Sequence, residues 1–200
     1  MDPVAATGLR ERKKAKTRDA LVRSALRQFH ERGFDHVTVD DIAEDCEVSP
    51  RTFFRYFSSK EEVLFGDVDG ARQRLLDSLA EQPAEASVLE ALRAAVLTVV
   101  VEYEHERDLK LLRQQVLRAT PALQGRAIER HHGWVVEVTE AVRRSGRAER
   151  MSELDLRLAV ATSATALGVA TDLWVEDGGR GDLTALLSTV LDRLRDGLDA

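Results

Sequence analysis

Residues 37–64 read VTVDDIAEDCEVSPRTFFRYFSSKEEVL and pack two helix starts, a short turn and a cluster of aromatics into one span. Thr38 is suited to cap a first helix, with Asp41 three residues on returning a bond to the cap, and Val39, Ile42, Ala43 and Cys46 fall on one apolar stripe. That helix stops near Cys46. Glu47, Val48 and Ser49 form a turn. Ser49 before Pro50 then restarts the helix, because proline at the first helical position lacks only an N–H that has no partner there. In the second helix Phe53 and Phe57 share a face and anchor it to the core. Arg51, Phe54 and Arg55 recur on roughly the opposite face, where an aromatic between two arginines has no packing role. The pattern is a helix-turn-helix, and its outer face suits DNA. Ser58 with Glu61 reads as a further capping box, opening a helix with Lys60 in its first turn. A lysine there opposes the helix dipole and points to a nearby anion.

Around this span, residues 16–64 resemble the DNA-binding domain of the TetR family of bacterial transcriptional regulators, over about a quarter of the chain. The resemblance is carried by Gly33-Phe34, Thr38-Val39 with Ile42-Ala43, Val48-Ser49, the run Thr52-Phe53-Phe54-Arg55-Tyr56-Phe57, and Lys60-Glu61-Glu62-Val63-Leu64. Each element alone is a weak signal, and the ordered set is specific. The alternative for the span by itself is a structural helix hairpin. By the resemblance, Thr38, Thr52, Tyr56 and Lys60 match positions that hold phosphates, while Ser49, Pro50, Arg51, Phe54 and Arg55 face bases or a thymine methyl. Arg55 stands where the family often has an aromatic residue or histidine.

Charge divides by region. The chain carries a net −6, yet residues 1–60 hold 12 Lys+Arg against 10 Asp+Glu, and the other 140 hold 17 against 25. Just before the first helix, RERKKAKTR (10–18) sets six basic residues against one acid. This run, with Arg10, Lys13, Lys14 and Lys16, is a footprint for phosphates or a minor groove, the bland alternative being a solvated tail. A 44% hydrophobic content supplies a core for one or two domains. The longest uncharged run, Leu158 to Thr171, has 14 residues rich in Ala, Ser and Thr, too short and polar for a bilayer. The opening MDPVAATGLRERKK has no apolar segment before its basic cluster, so a secretory signal is not expected and a cytoplasmic protein is. The single Cys46 reads as a small buried residue.

Helix 1 is expected from Lys16 to Arg32, with Gly33 as its C-terminal cap. The helix after Ser59 should end near Ala80, before Gln82-Pro83. Further helices are expected over Ser87–Arg107 with Leu89, Leu92, Val96, Val99 and Tyr103 on one side, over Leu109–Arg118, from Pro121 to about Arg147, from Ser152 or Asp155 to the glycine loop 177–181, and over Asp182–Leu198. No segment alternates as a strand, so the fold is all-α: a basic arm (1–15), a three-helix DNA-binding domain (16–64) and a helical ligand-binding and dimerisation domain (65–200). In the last two helices, small residues (Ala159, Ala161, Ser163, Ala164, Ala166, Gly168, Ala170) admit close approach, and Leu183, Leu186, Leu187, Val190, Leu191, Leu194 and Leu198 form a broad stripe. The resemblance implies a four-helix dimer interface here, with Ala159, Ser163, Ala166, Leu187, Val190 and Leu194 at the contact. An ordinary intramolecular core is the alternative.

Two Glu-x-x-His pairs, Glu102/His105 and Glu129/His132, suggest a di-metal helical bundle, but His105 lies roughly 120° from Val99, off the buried stripe, and further carboxylate ligands are not identifiable. No metal and no cofactor are expected, and no enzyme. The glycine loop lacks phosphate-loop spacing. The resemblance implies a ligand cavity; Tyr103, Trp134 and Trp174 are its candidate aromatic walls and His105, Arg113, Gln114 and His131 its candidate polar groups. The FFRYF…KEEVLFGD variant is similar to actinobacterial regulators of the mycofactocin type, which implies an acyl-like effector. The whole reads as a homodimeric DNA-binding regulator, a repressor on an inverted-repeat operator, released by a small molecule; the alternative is a DNA-binding regulator that needs no effector.

Overall fold

A computed structural model describes residues 3–196, with side chains at 12–66, 70–101, 103 and 106–196. Among them every regular element is helical. The chain forms two compact units, Met1–Asp67 with Leu112–Thr120, and Val68–Leu111 with Pro121–Ala200. Residues 112–120 group with the N-terminal unit.

In the first unit, α1 (Pro3–Arg32) is followed by a 3-10 turn (Phe34–His36), α2 (Val39–Asp45), α3 (Pro50–Phe54) and the first turns of α4 (Lys60–Glu81). Gly33 ends α1 at φ 84°, where a side chain would be strained. Leu21, Ala25, Leu26 and Phe29 of α1 are buried, as are Phe34, Ile42, Ala43, Phe53 and Phe57. The α2–α3 turn passes through Glu47 at φ 53°, a left-handed position filled here by a non-glycine residue. Two expectations shift. Helix α1 begins at Pro3, so the basic run continues the helix instead of preceding it. The cap of α4 is displaced by one residue: Ser59 Oγ accepts from the Glu62 N–H at 3.4 Å, and the Ser58 N–H donates to the Glu62 carboxylate.

The second unit contains the rest of α4, α5 (Val88–His105), the start of α6 (Arg107–Ala119), α7 (Pro121–Arg144), α8 (Glu153–Glu176) and α9 (Leu183–Asp196). Its core gathers Leu75 and Leu79 of α4, Leu92, Val96 and Val99 of α5, Val138 and Val142 of α7, and the inward faces of α8 and α9. Leu89, expected on the buried side of α5, is exposed. Gly179 closes the α8–α9 loop at φ 72°, with Leu111 and Trp174 within 3.3 Å of where a Cβ would stand.

Four of the six residues expected at a dimer contact are covered within the chain itself. Ala166 and Leu187 are 1% and 0% exposed within a single chain, and Ala159 and Ser163 are buried with them. The small residues do permit close approach, but the helices that approach are the chain's own α5, α7 and α9. Val190 is half-buried, Leu194 is exposed, and Leu198 lies outside the described residues. The large apolar residues of α8 that face outward are Leu154, Leu158, Val169 and Leu173, with Thr162 and Thr165 completing one helical stripe between them. By length and composition α8 could cross a bilayer, but 56% of its most apolar window is buried inside the protein, which marks a core helix.

Candidate nucleic-acid interface and ligand pocket

The helix-turn-helix is held by short-range bonds that the sequence spells out. Thr38 donates its backbone N–H and its hydroxyl to Asp41 Oδ2 at 2.7 and 2.5 Å, and accepts from the Asp41 N–H at 3.1 Å. Arg32 adds a bond to Asp41 Oδ1 at 3.3 Å. These bonds, with those from Thr38 the largest influence, hold the Asp41 carboxyl below its ordinary value of 3.8. Ser49 Oγ caps α3 by accepting from the Thr52 N–H at 3.2 Å, and lies 3.0 Å from the Thr52 hydroxyl. Burial pushes the half-buried Cys46 thiol up, away from the reactive thiolate.

On this frame Phe53 is fully buried and stacks against Phe57 with ring centroids 5.4 Å apart. Phe54 points the other way and is 56% exposed, between the exposed Arg51 and Arg55. Arg51 has no hydrogen-bond or ion-pair partner among the described residues. Arg55 is different: its guanidinium lies 5.1 Å from the Tyr56 ring centroid, and Nη2 donates to the Tyr56 hydroxyl at 3.2 Å. The phenol proton of Tyr56 is left for an outside acceptor. Pro50 is exposed beside Arg51.

Two side chains expected on phosphates are engaged within the chain. Lys60 Nζ donates to the Phe34 and Val37 carbonyls at 2.8 and 3.0 Å and sits 4.3 Å from the Phe34 ring centroid. Its charge at the start of α4 is therefore met by two carbonyl oxygens, where the sequence pattern pointed to an anion, and only one ammonium proton remains for a phosphate. Thr38 has both its donors on Asp41, so it offers an approaching phosphate none. The Lys60 contacts are too remote to read in sequence, since both partners lie more than 20 residues away.

The basic run is exposed at Arg12, Lys13, Lys14 and Lys16, while Arg10 lies outside the described side chains. Arg18 ties it to the head, its guanidinium 5.4 Å from the Phe57 ring centroid.

The expected ligand residues do not form one set. Arg113 and Gln114 belong to the first compact unit, Tyr103, His131, Trp134 and Trp174 to the second, and His105 lies outside the described side chains. Within the second unit Trp134 and His131 meet edge to face at 6.3 Å. Trp134 also lines an apolar seam with Leu75, Val96, Val135, Val138 and Val160, where only about 10 Å³ would admit a water. Its indole N–H is buried without a hydrogen-bond partner among the described residues. Trp174 is 1% exposed and packs against the glycine loop, away from that seam. Lys110, which the sequence did not single out, is buried with its ammonium 4.6 Å from the Tyr103 ring centroid. No group of three His, Cys, Asp or Glu side chains converges for a metal among the described residues.

Residues 21–65 match the family of bacterial regulatory proteins described as tetR, and residues 86–199 match the MftR C-terminal domain. The chain belongs to the TetR family. It is 30% identical over 175 residues to the mycofactocin biosynthesis transcriptional regulator MftR of Mycobacterium tuberculosis, covering 88% of this chain and 87% of that one. It is 45% identical over 93 residues to the regulator TcmR of Streptomyces glaucescens, a match that spans 46% of this chain and 41% of TcmR, under half of that protein. Among solved structures, Thermus thermophilus FadR, a TetR-family repressor in complex with lauroyl-CoA, superposes with a TM-score of 0.56 at 26% identity, covering 90% of this chain and 94% of that one. This TetR-family member is a transcriptional regulator with an all-α fold, an N-terminal helix-turn-helix and a C-terminal helical domain. Its relatives are regulators, a class without catalysis.

Proposed function

We propose that this regulator binds an inverted-repeat operator as a cytoplasmic homodimer, represses transcription there, and is released when a small acyl-type molecule enters its C-terminal unit. One observation carries the DNA reading: a capped, rigidly anchored short helix presents Arg51 and Phe54 outward, with Arg51 uncommitted. Arg51 is assigned to a guanine edge and Phe54 to a thymine methyl. Arg55, leaning on Tyr56, and the Tyr56 phenol are assigned to the backbone, with Thr52 and the Ser49–Pro50 helix start beside them. The Lys13, Lys14 and Lys16 region supports phosphate contacts and argues against a minor-groove arm. A helix of about 10–12 Å diameter does not enter a groove about 6 Å wide.

Dimerisation is supported by the outward stripe of α8, and a two-fold dimer reads two half-sites about one helical turn, or a multiple, apart. Release by an effector requires only that it favour the conformation with misplaced reading heads. An acyl class is supported by the lauroyl-CoA held in the Thermus FadR structure and by the apolar seam at Trp134. One observation favours a regulator that needs no effector: that seam is nearly closed. A metabolite screen that shifts neither thermal stability nor operator affinity would establish the effector-free reading.

The test of the DNA assignment is selection of bound sequences by wild type, Arg51→Ala and Tyr56→Phe at two salt concentrations. Arg51→Ala is expected to cost about 1–3 kcal/mol on the cognate site and to relax preference at one base pair. Tyr56→Phe should weaken all sequences nearly uniformly. Retention of every base preference by Arg51→Ala overturns the assignment.

A further inference from the structure

We propose that the groove between the C-terminal ends of α4 and α7 holds the anionic head of a long-chain acyl ligand, with Arg144 and Arg147 as its charge partners. The inference rests on the acyl-effector reading above and adds where and how the head is recognised. The groove encloses about 530 Å³; Leu76, Leu79 and Ala141 give it an apolar floor, and Arg144, Ser145 and Arg147 give it a polar wall. No carboxylate lines it.

Two acids beside it, Glu140 and Glu153, are already taken. Arg143 donates to the Glu140 carboxylate and, at 3.0 and 3.1 Å, to both oxygens of Glu153. Arg144 makes a single contact, from Nε to the Glu140 carbonyl at 3.4 Å. Arg147 donates Nη2 to the Gln82 and Pro83 carbonyls, which fixes its guanidinium at the groove, yet its Nε is buried with no hydrogen-bond partner among the described residues. No ion pair joins Arg144 or Arg147 to a carboxylate among the described residues. A buried donor left unpaired is costly, and a guanidinium pair is matched in geometry to carboxylate or phosphate oxygens.

The apolar seam lies one turn back along the same two helices: Leu79 is one turn beyond Leu75, and Ala141 one turn beyond Val138. From Arg144 back to Trp134 is about 15 Å along α7, a length of apolar wall suited to an acyl tail. The ligand class is therefore an amphiphile whose tail parts α4 and α7 and whose carboxylate or phosphate meets the two arginines.

Calorimetric titration of the full-length protein with lauroyl-CoA, laurate and dodecanol tests this. One of the two anionic probes should bind at least tenfold tighter than dodecanol, and which one does separates a CoA phosphate head from a free carboxylate. Arg144→Glu, at an exposed position, should weaken that probe by tenfold or more and leave dodecanol unchanged. Arg147→Ala also releases the Gln82–Pro83 tether, so its thermal midpoint is measured beside its affinity, and Arg144→Glu decides if it fails to fold. Equal binding of charged and uncharged probes, unchanged anionic binding in Arg144→Glu, or no binding of any probe overturns the inference. Charge-dependent binding that leaves operator affinity untouched keeps the groove and removes release by an acyl effector. Operator release that is indifferent to Arg144 does the reverse.

Discussion

Asp41 is a half-buried carboxylate whose hydrogen bonds favour its charged form over the opposing effect of burial: two donors from Thr38 and one from Arg32. Because its folded value is lowered below 3.8, the stability it contributes is fully present above that value and is lost as pH falls through the lower folded one. The head should therefore lose thermal stability below about pH 4, and Asp41→Asn should flatten that part of the profile while lowering the plateau near neutrality. A pH series of melting midpoints checks this, and an unchanged acid slope in Asp41→Asn sinks it. Thr38 and Asp41 were legible because a capping box is a local pattern, its two members three residues apart. Lys60 was not: its partners are backbone carbonyls brought near by the fold, and carbonyls leave no mark in a sequence.

At the scale of the helix, α8 shows what periodicity does and does not reveal. Its run of small residues correctly announced close approach, but composition does not say which helix approaches. The chain's own α5, α7 and α9 pack against α8, while Leu158 (56% exposed), Val169 (42%) and Leu173 (46%) face outward on the stripe proposed for a second copy. Leu158→Glu with Leu173→Glu should give a folded monomer by sedimentation, with unchanged helicity by circular dichroism. Ala166→Arg should instead cost several kcal/mol by burying an unpaired charge, and melt the chain. A dimer that survives the double substitution at micromolar concentration removes the α8 stripe as its seat. The caps at Ser49, Ser87 and Ser152 were all readable, since each is a Ser with its partner three residues on.

For the molecule as a whole, the two tryptophans divide between separate jobs. Trp134 borders the seam where a tail would enter, and Trp174 fills the core against Gly179. Emission from a Trp174→Phe protein should change on titration with lauroyl-CoA, and emission from Trp134→Phe should stay constant. A signal confined to the Trp134→Phe protein would place the ligand elsewhere. The all-α fold and the reading head were written in local pattern, whereas the pocket depends on which faces of distant helices meet, and single-chain periodicity carries no such pairing.

The grouping of residues 112–120 with the N-terminal unit bears on how regulators of this build are recombined. A chimera joined once, near residue 67, would give the head a foreign 112–120 segment, although the splice lies in a sensible place by sequence. Grafting that segment along with residues 1–67 keeps the inherited neighbours of the head together, so exchange of DNA specificity between such proteins is a two-piece transplant.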